Sequence, residues 1–297
     1  MRIGVGAIAA LLLAACGGST TGAPDTGGPA ATASSQLQVE LVASELVVGT
    51  QQRLPIGVLD HGTPVTDAAV HVRAYLLQGT TGVFKAESNA PFEGSGLEGG
   101  GVYVAHLDLA QAGNWGLDVT ASRPNGEHAT TRVATYADGR PLTVTATPIV
   151  PAVGQPAPLS KSPTVGDHPD VTSIDTGDPP DDMHQVSIAQ AIAQHRPTLV
   201  VFASPAFCTS RACGPQVKVV QGLEPAYRDR LTFIHIEIYT NYKPDASKRT
   251  IAPTVTEWRL QTEPWIFLLD SKGIIQARFE GPTASDELKA AIDHLLG

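Results

Sequence analysis

The chain has 297 residues, of which 42% are hydrophobic and 16% are charged, a length and composition that suit two folded domains better than one. It contains 29 glycines and 23 prolines, which indicates many turns and excludes a coiled coil or an all-helical bundle. The formal net charge is −9 with 20 lysines and arginines, and the sequence has no basic run. Nucleic acid is therefore not expected as a partner.

The first 15 residues have the pattern of an export signal peptide. Arg2 supplies one positive charge, and the apolar stretch 3–15 is too short to cross a bilayer about 30 Å thick. The end of this stretch, Leu13-Ala14-Ala15-Cys16, resembles the lipobox of bacterial lipoproteins. The resemblance implies that Cys16 is lipidated, becomes the mature N-terminus and anchors the chain to a bacterial membrane on its extracytoplasmic side. The alternative is a short anchor with an incidental cysteine.

The next two segments are predicted to be a tether and an all-β domain. Residues 16–35 are almost entirely Gly, Ser, Thr, Ala and Pro, a composition that favours a flexible tether. In residues 36–147 short runs of alternating apolar residues are separated by turn clusters, which predicts about seven strands. This pattern resembles an immunoglobulin-like sandwich with Tyr103 and Trp115 in its core. We expect this domain to act as a spacer or contact surface, without chemistry of its own.

A proline-dense segment, 148–180, predicts an extended linker, and the pattern beyond it changes. Residues 181–297 are predicted to be α/β. The predicted elements are a helix at 187–195, strands at 198–203 and 231–239 with a helix at 216–229 between them, a hairpin of strands at 265–269 and 274–279, and a helix at 285–296 capped by Ser285. Parallel strands followed by an antiparallel hairpin and a helix have the order of the thioredoxin fold.

Three features of this part resemble exported thioredoxin-like proteins, close in layout to membrane-tethered thiol-disulfide reductases. The buried strand runs into a loop with Cys208, where thioredoxins hold their reactive cysteine. Pro264 precedes a strand at the position of the family's cis-proline, and residues 267–275 resemble the family's hairpin. The resemblance implies thiol–disulfide exchange with a protein thiol or disulfide substrate, through Cys208, Cys213 and Pro264 and without a cofactor.

The cysteine spacing departs from the family's pattern. Four residues separate Cys208 from Cys213 instead of two, and on one regular helix the thiols would point about 140° apart, so Cys208 is predicted to lie in a loop. Cys213-Gly214-Pro215 also matches the start of the thioredoxin motif, which leaves open which cysteine attacks. Arg211 and a helix N-terminus are expected to lower the pKa of the attacking thiol. The family's buried carboxylate is absent from the preceding strand, and Glu237 is the candidate substitute.

Other interpretations stay open. The cysteines could form a static disulfide in a non-enzymatic surface or binding lipoprotein, although such a short loop stabilises a fold by only about 2 kcal/mol. A Sco-type copper chaperone also combines a thioredoxin fold, a spaced cysteine pair and a distant histidine. However, His235 lies within a predicted strand, where we expect a buried, hydrogen-bonded residue, so no metal site is predicted. A peroxidase is a further alternative, because residues 205–209 resemble peroxiredoxin motifs.

Overall fold

The computed structural model describes residues 37–297 except Thr80, Gly99 and Arg211. The predicted signal peptide, the predicted lipidation site Cys16, the predicted tether and Arg211 lie outside the described residues. Within the described chain, no helix has both the length and the apolar character needed to cross a membrane. The described residues belong to one compact unit.

The N-terminal part of the described chain is built from strands. They are β1 (Leu37–Leu41), β2 (Leu46–Val47), β3 (Gly49–Asp60), β4 (Thr63–Pro64), β5 (Ala69–Gln78), β6 (Thr81–Ala90), β7 (Phe92–Glu93), β8 (Val102–Leu109), β9 (Gly113–Ser122), β10 (His128–Val133) and β11 (Thr143–Thr145). One sheet has the order β1-β3-β8-β7 with β4 on β3, and the other has the order β2-β11-β9-β5-β6 with β10 on β9. A single hydrophobic core contains residues of both sheets, including Tyr103 and Trp115. The all-β part agrees with the alternating pattern, and its immunoglobulin-like assignment stays a prediction.

The C-terminal part is α/β. Its elements are α1 (Ile188–Ala193), β12 (Thr198–Ala203), α2 (Cys213–Tyr227), β13 (Thr232–Glu237), β14 (Tyr239–Thr240), β15 (Thr250–Ile251), α3 (Pro253–Glu257), β16 (Trp265–Leu269), β17 (Ile275–Glu280) and α4 (Ser285–Leu296), with 3₁₀ turns at Val171–Ser173 and Ala246–Lys248. The main sheet has the order β13-β12-β16-β17. Strands β12 and β13 are parallel, and the other two pairs are antiparallel.

Helices cover both faces of this sheet, which explains why β12 is a continuous apolar run. Leu199 and Val201 share a core with residues of α2 and α4. Val200 and Phe202 share a second core with residues of α1 and α3. Every residue of β12 and β16 is consequently buried. This arrangement directs the end of β12 into the loop that carries Cys208.

Three differences from the sequence prediction stand out, besides shifts of one or two residues at other element ends. Helix α2 begins at Cys213 rather than at 216. The strand predicted at 231–239 is divided, because β13 ends at Glu237 and the following β14 pairs with β15 instead of continuing the main sheet. Ser285 is not the N-cap of α4: Ala284 occupies that position, and the Ser285 N–H donates to the Ser95 carbonyl of the all-β part at 2.8 Å. That contact satisfies one of the free N–H groups at the helix start.

The proline-dense segment packs onto the α/β part. Val150 and Ala157 are buried in the core that contains α1 and α3. Pro156 forms an antiparallel bridge with Ile274. The segment therefore contains no α-helix, as its prolines predict; its part near Pro156 lies against the sheet edge beside β17, and a later part forms the 3₁₀ turn at Val171–Ser173.

The all-β part also contacts the α/β part directly. Arg53 makes a two-bond ion pair with Glu287, at 2.8 and 3.0 Å, and donates to the carbonyl oxygens of Glu280 and Pro282. The Arg53 and Glu287 side chains are only 12% and 14% exposed. Leu97, from a loop of the all-β part, is buried in the core of α2 and α4. These contacts hold β17 and α4 against the all-β part.

Candidate active site

Two cysteines lie where β12 gives way to α2. The chain turns after β12, with the Cys208 N–H donating to the Ser204 carbonyl at 3.0 Å. Cys208 lies in this loop, as the spacing predicts, and Cys213 is the first residue of α2. Cys208 is half-buried and Cys213 is fully buried, and the two are not joined by a disulfide bond. The loop thus presents one sulfur to solvent and keeps the other inside the domain.

The two thiols share a site with a carboxylate. The Sγ atoms of Cys208 and Cys213 and one carboxylate oxygen of Glu263 lie within 4.8 Å of one another. The Cys213 thiol donates to Glu263 Oε2 at 3.3 Å. The Cys208 Sγ lies 3.1 Å from the Ser210 hydroxyl. Each sulfur therefore has its own polar partner within the same small site.

Glu263 comes from the turn before β16. The Glu263–Pro264 peptide bond is cis, as predicted for Pro264. Pro264 is buried, whereas Glu263 is half-buried and its carboxylate reaches Cys213. Sequence reasoning missed Glu263, although its position beside the predicted cis-proline was the signal that could have found it.

The surroundings shift the pKa values of the two cysteines in opposite directions. The neighbouring Cys213 side chain is the main cause that lowers the pKa of Cys208 to about 5, against the opposing effect of burial. The Ser210 hydroxyl and the backbone N–H groups of Ala212 and Cys213 lower the pKa of Cys208 further. The pKa of Cys213 is raised by the hydrogen bond to Cys208, by burial and by the charge of Glu263. At neutral pH Cys208 is a thiolate and Cys213 is a thiol.

Glu263 is poised to exchange a proton near neutral pH. Burial, followed by the negative charge of Cys208, raises its pKa to about 7, and the hydrogen bond from Cys213 offsets only part of this shift. A carboxylate with a pKa near the working pH can accept a proton and release it again. Because Glu263 accepts a hydrogen bond from the Cys213 thiol, the proton that the carboxylate would accept is the thiol proton of Cys213.

Glu237, the carboxylate singled out in the sequence, lies close by but binds other groups. It accepts hydrogen bonds from the Thr176 N–H at 3.1 Å and from the Thr176 hydroxyl at 2.5 Å. Burial raises the pKa of Glu237. The Thr176 hydroxyl oxygen accepts from the Ala206 N–H, in the cysteine loop, at 3.1 Å. Glu237 therefore supports the loop through Thr176, and among the described residues Glu263 is the carboxylate that contacts Cys213.

An aromatic and cationic surface borders Cys208. Phe207 packs edge-on against Tyr239 and Tyr242, with ring centroids 5.7 and 5.6 Å away. The Arg249 guanidinium lies 4.9 Å from the centroid of the Phe207 ring. Such a surface offers apolar area together with one positive charge at Phe207, the residue before Cys208.

The groups at the thiols can be compared with known metal sites. Cys208, Cys213 and Glu263 could contact a cation, but structural zinc sites normally use four protein ligands. The third candidate ligand in the described chain is a carboxylate, whereas a Sco-type site uses a histidine. His235 is buried and hydrogen bonded, as predicted, with Nε2 3.0 Å from the Ala203 carbonyl oxygen. It belongs to a separate cluster, described below.

Comparison with known proteins agrees with this geometry. Residues 184–296 match the family model of a thioredoxin-like domain. No curated protein is similar enough to this chain to count as a match. The solved structure of StoA from Bacillus subtilis is 21% identical over 33% of this chain and 83% of that chain, with a TM-score of 0.27. The family match shows a thioredoxin-like domain at the C-terminal end of the chain, and an all-β part precedes it.

Proposed function

We propose that this protein exchanges thiols and disulfides with protein substrates through Cys208 and Cys213. The observation that carries the proposal is the pairing of a half-exposed thiol of lowered pKa with a buried thiol of raised pKa, both beside Glu263. A static disulfide would require neither a difference in pKa between the two cysteines nor a neighbouring carboxylate. The thioredoxin-like domain supports the same chemistry.

The first step is an attack by the Cys208 thiolate on one sulfur of a substrate disulfide. The substrate S–S bond breaks, a mixed disulfide forms with Cys208, and the second substrate sulfur leaves as a thiolate. Cys208 suits this role because it is partly exposed and ionised at neutral pH. Phe207 and Arg249 provide a contact surface for the substrate chain beside the sulfur.

The second step releases the substrate. The Glu263 carboxylate takes the proton of the Cys213 thiol, and the Cys213 sulfur attacks the Cys208 sulfur and breaks the mixed disulfide. The remaining substrate sulfur leaves as a thiolate. The substrate disulfide has then been reduced by two electrons, and the protein dithiol has been oxidised to a Cys208–Cys213 disulfide. The same steps in reverse oxidise a substrate dithiol.

Trapping of the mixed disulfide tests this proposal. With Cys213→Ser the second step is impossible, so incubation with a disulfide-bonded polypeptide such as insulin should leave a covalent adduct at Cys208 on a non-reducing gel. Cys208→Ser should give no adduct, and Cys16→Ser, which removes a cysteine outside the site, should turn over like the parent chain. If neither site variant traps a partner and both lose a similar amount of stability, the cysteines form a static disulfide and the proposal is wrong.

We further propose that the chain is exported and anchored to a bacterial membrane through a lipid on Cys16. The sequence pattern before Cys16 supports this location. The all-β part, interpreted as immunoglobulin-like, would then separate the thioredoxin-like domain from the lipid surface. Cys16→Ser should move the protein from the membrane fraction to the soluble fraction without changing its circular dichroism, and unchanged fractionation would contradict the anchor.

A further inference from the structure

Four buried side chains meet beside β13 in a cluster that the exchange reaction does not use. One lies near the end of the proline-dense segment, two lie between that segment and α1, and one belongs to β13. We call them the His–Asp cluster: Asp175, Asp181, His184 and His235. Their side chains are at most 2% exposed. Charged and ionisable groups are rarely buried this completely unless they are paired or bind a metal.

In the His–Asp cluster, each imidazole directs one nitrogen towards both carboxylates. The Nε2 atom of His184 lies 3.3 Å from Asp175 Oδ2 and 3.2 Å from Asp181 Oδ1. The Nδ1 atom of His235 lies 2.7 Å from Asp181 Oδ2 and 3.9 Å from Asp175 Oδ1. One donor atom from each of the four residues lies within 4.8 Å of all the others. The cluster thus presents two nitrogens and two oxygens around a common centre.

These separations fit the ligand shell of a small cation. In a tetrahedral zinc site with metal–ligand bonds of about 2.0–2.1 Å, neighbouring ligand atoms lie about 3.3–3.4 Å apart. Both distances from His184 Nε2 match this value, whereas those from His235 Nδ1, 2.7 and 3.9 Å, are to the other oxygen of each carboxylate and lie on either side of it. A single N–H cannot donate in a straight line to two acceptors, yet the His184 nitrogen is equally close to two carboxylates. A cation between the groups would contact both carboxylates and the nitrogen together.

The outer hydrogen bonds also resemble those that orient metal ligands. The Nε2 atom of His235 lies 3.0 Å from the Ala203 carbonyl oxygen, so its hydrogen points there and leaves Nδ1 for the cluster. Asp175 accepts from the Gly177 N–H and the Asp181 N–H, both at 2.7 Å. Asp181 accepts from the Met183 N–H at 2.9 Å. The backbone therefore orients both carboxylates and one imidazole towards the centre of the cluster.

We propose that the His–Asp cluster binds one divalent transition-metal ion, and that zinc is the ion its two nitrogens and two carboxylate oxygens suit best. Two carboxylates, two neutral imidazoles and one divalent cation form a neutral buried unit. Because protein atoms fill all four positions, the ion would have a structural role rather than a catalytic one. It would fasten the segment before α1 to β13, next to Thr176, which contacts the cysteine loop.

Zinc titration of a thiol-free chain tests this proposal without interference from the cysteines. The parent is the full chain with Cys16→Ser, Cys208→Ser and Cys213→Ser, dialysed against a chelator and then against metal-free buffer. Addition of zinc chloride should give about one bound zinc per chain by equilibrium dialysis and elemental analysis, together with a higher Tm. Asp181→Asn and His184→Gln in this parent should lose the bound zinc and the Tm increase. His294→Gln, which changes an exposed histidine of α4, should keep both.

Two results would overturn the proposal. In one, the parent chain is folded by near-ultraviolet circular dichroism but binds no zinc and shows no change in Tm, which means that the cluster is a set of ion pairs. This measurement does not depend on whether the Asp181 or His184 variants fold. In the other, His294→Gln loses as much zinc as Asp181→Asn, which would place the binding elsewhere.

Discussion

The Cys213 thiol donates a hydrogen bond to Glu263 Oε2 at 3.3 Å, although 50 positions separate the two residues in the sequence. The bond joins the first residue of α2 to the residue before the cis-proline Pro264. It gives the buried thiol a route for its proton, which the second step of exchange requires. The carboxylate is therefore as much a part of the proposed reaction as the two sulfurs.

We expect Glu263→Gln to slow the release of substrate more than the initial attack. The amide keeps the shape of the side chain but cannot take the Cys213 proton, so a mixed disulfide with Cys208 should persist at pH 7, with release at least about tenfold slower. Quenched-flow sampling followed by mass spectrometry separates the two steps. Glu257→Gln, an exposed carboxylate on α3, is the matched control and should behave like the parent. Equal release rates in the Glu263 and Glu257 variants would exclude Glu263 as the base.

The pH dependence of release should also identify Glu263. Its pKa is raised to about 7, chiefly by burial, so the carboxylate that accepts the proton is present above pH 7 and is lost as the pH falls through 7. In the mixed disulfide Cys208 carries no charge, so burial remains as the main cause that raises the pKa of Glu263; in the parent chain the release rate should rise with pH through an inflection at or below pH 7 and level off above about pH 8. In Glu263→Gln this inflection should disappear. An inflection near pH 7 that survives the substitution would assign it to another group.

Alkylation should distinguish Cys208 from an ordinary cysteine. The pKa of Cys208 is lowered to about 5, mainly by the neighbouring Cys213 side chain, so its reaction with iodoacetamide should be nearly constant above pH 6 and fall below pH 5. Unfolded in urea, the same cysteine should show a midpoint near 8.5. Cys213→Ala removes the side chain that is the main cause of the lowered pKa and should move the folded midpoint upwards. A folded midpoint above pH 8, measured by mass spectrometry at this residue, would contradict the assignment.

The contact between the two parts of the chain should contribute to stability. Arg53→Ala leaves the largely buried Glu287 carboxylate unpaired and should lower the free energy of unfolding by about 3 kcal/mol. The ion pair between Lys218 and Glu98 also joins the two parts, but its side chains are 62% and 72% exposed. Lys218→Ala should therefore cost less than about 1 kcal/mol. Urea unfolding followed by fluorescence measures the free energy of unfolding of both variants. If Arg53→Ala lowers it by no more than Lys218→Ala does, the buried ion pair does not contribute the predicted stability.

The sequence predicts the elements of the α/β part that are buried on both faces. Strand β12 is apolar at nearly every position because α2 and α4 cover one face and α1 and α3 cover the other. The sequence alone is therefore sufficient to predict a buried strand that is followed by Cys208 and a helix. The start of α2 was harder to predict, because Cys213-Gly214-Pro215 contains two residues that weaken a helix interior but are tolerated in its first turn.

The partners of the site could not be predicted from local patterns. Glu263 lies in a turn, where no hydrophobic periodicity indicates which side chains face the site. The sequence pattern therefore predicts a role for its neighbour Pro264 but not for Glu263. Asp175 lies near the end of the proline-dense segment and Asp181 directly follows it, and the composition of that segment indicates extended chain but not what the chain packs against. His235 was correctly predicted to be buried, but its partners come from that segment, and only the folded chain brings them together.

The reduction potential of the Cys208–Cys213 couple tests the central claim most directly. It can be measured by equilibrating the chain with glutathione buffers and counting free thiols at the two positions. Because the low pKa of Cys208 stabilises the reduced form, we predict a value within the range of known exchange proteins, about −120 to −270 mV. A value below about −300 mV would mean a disulfide that resists reduction, and would contradict the proposed exchange reaction.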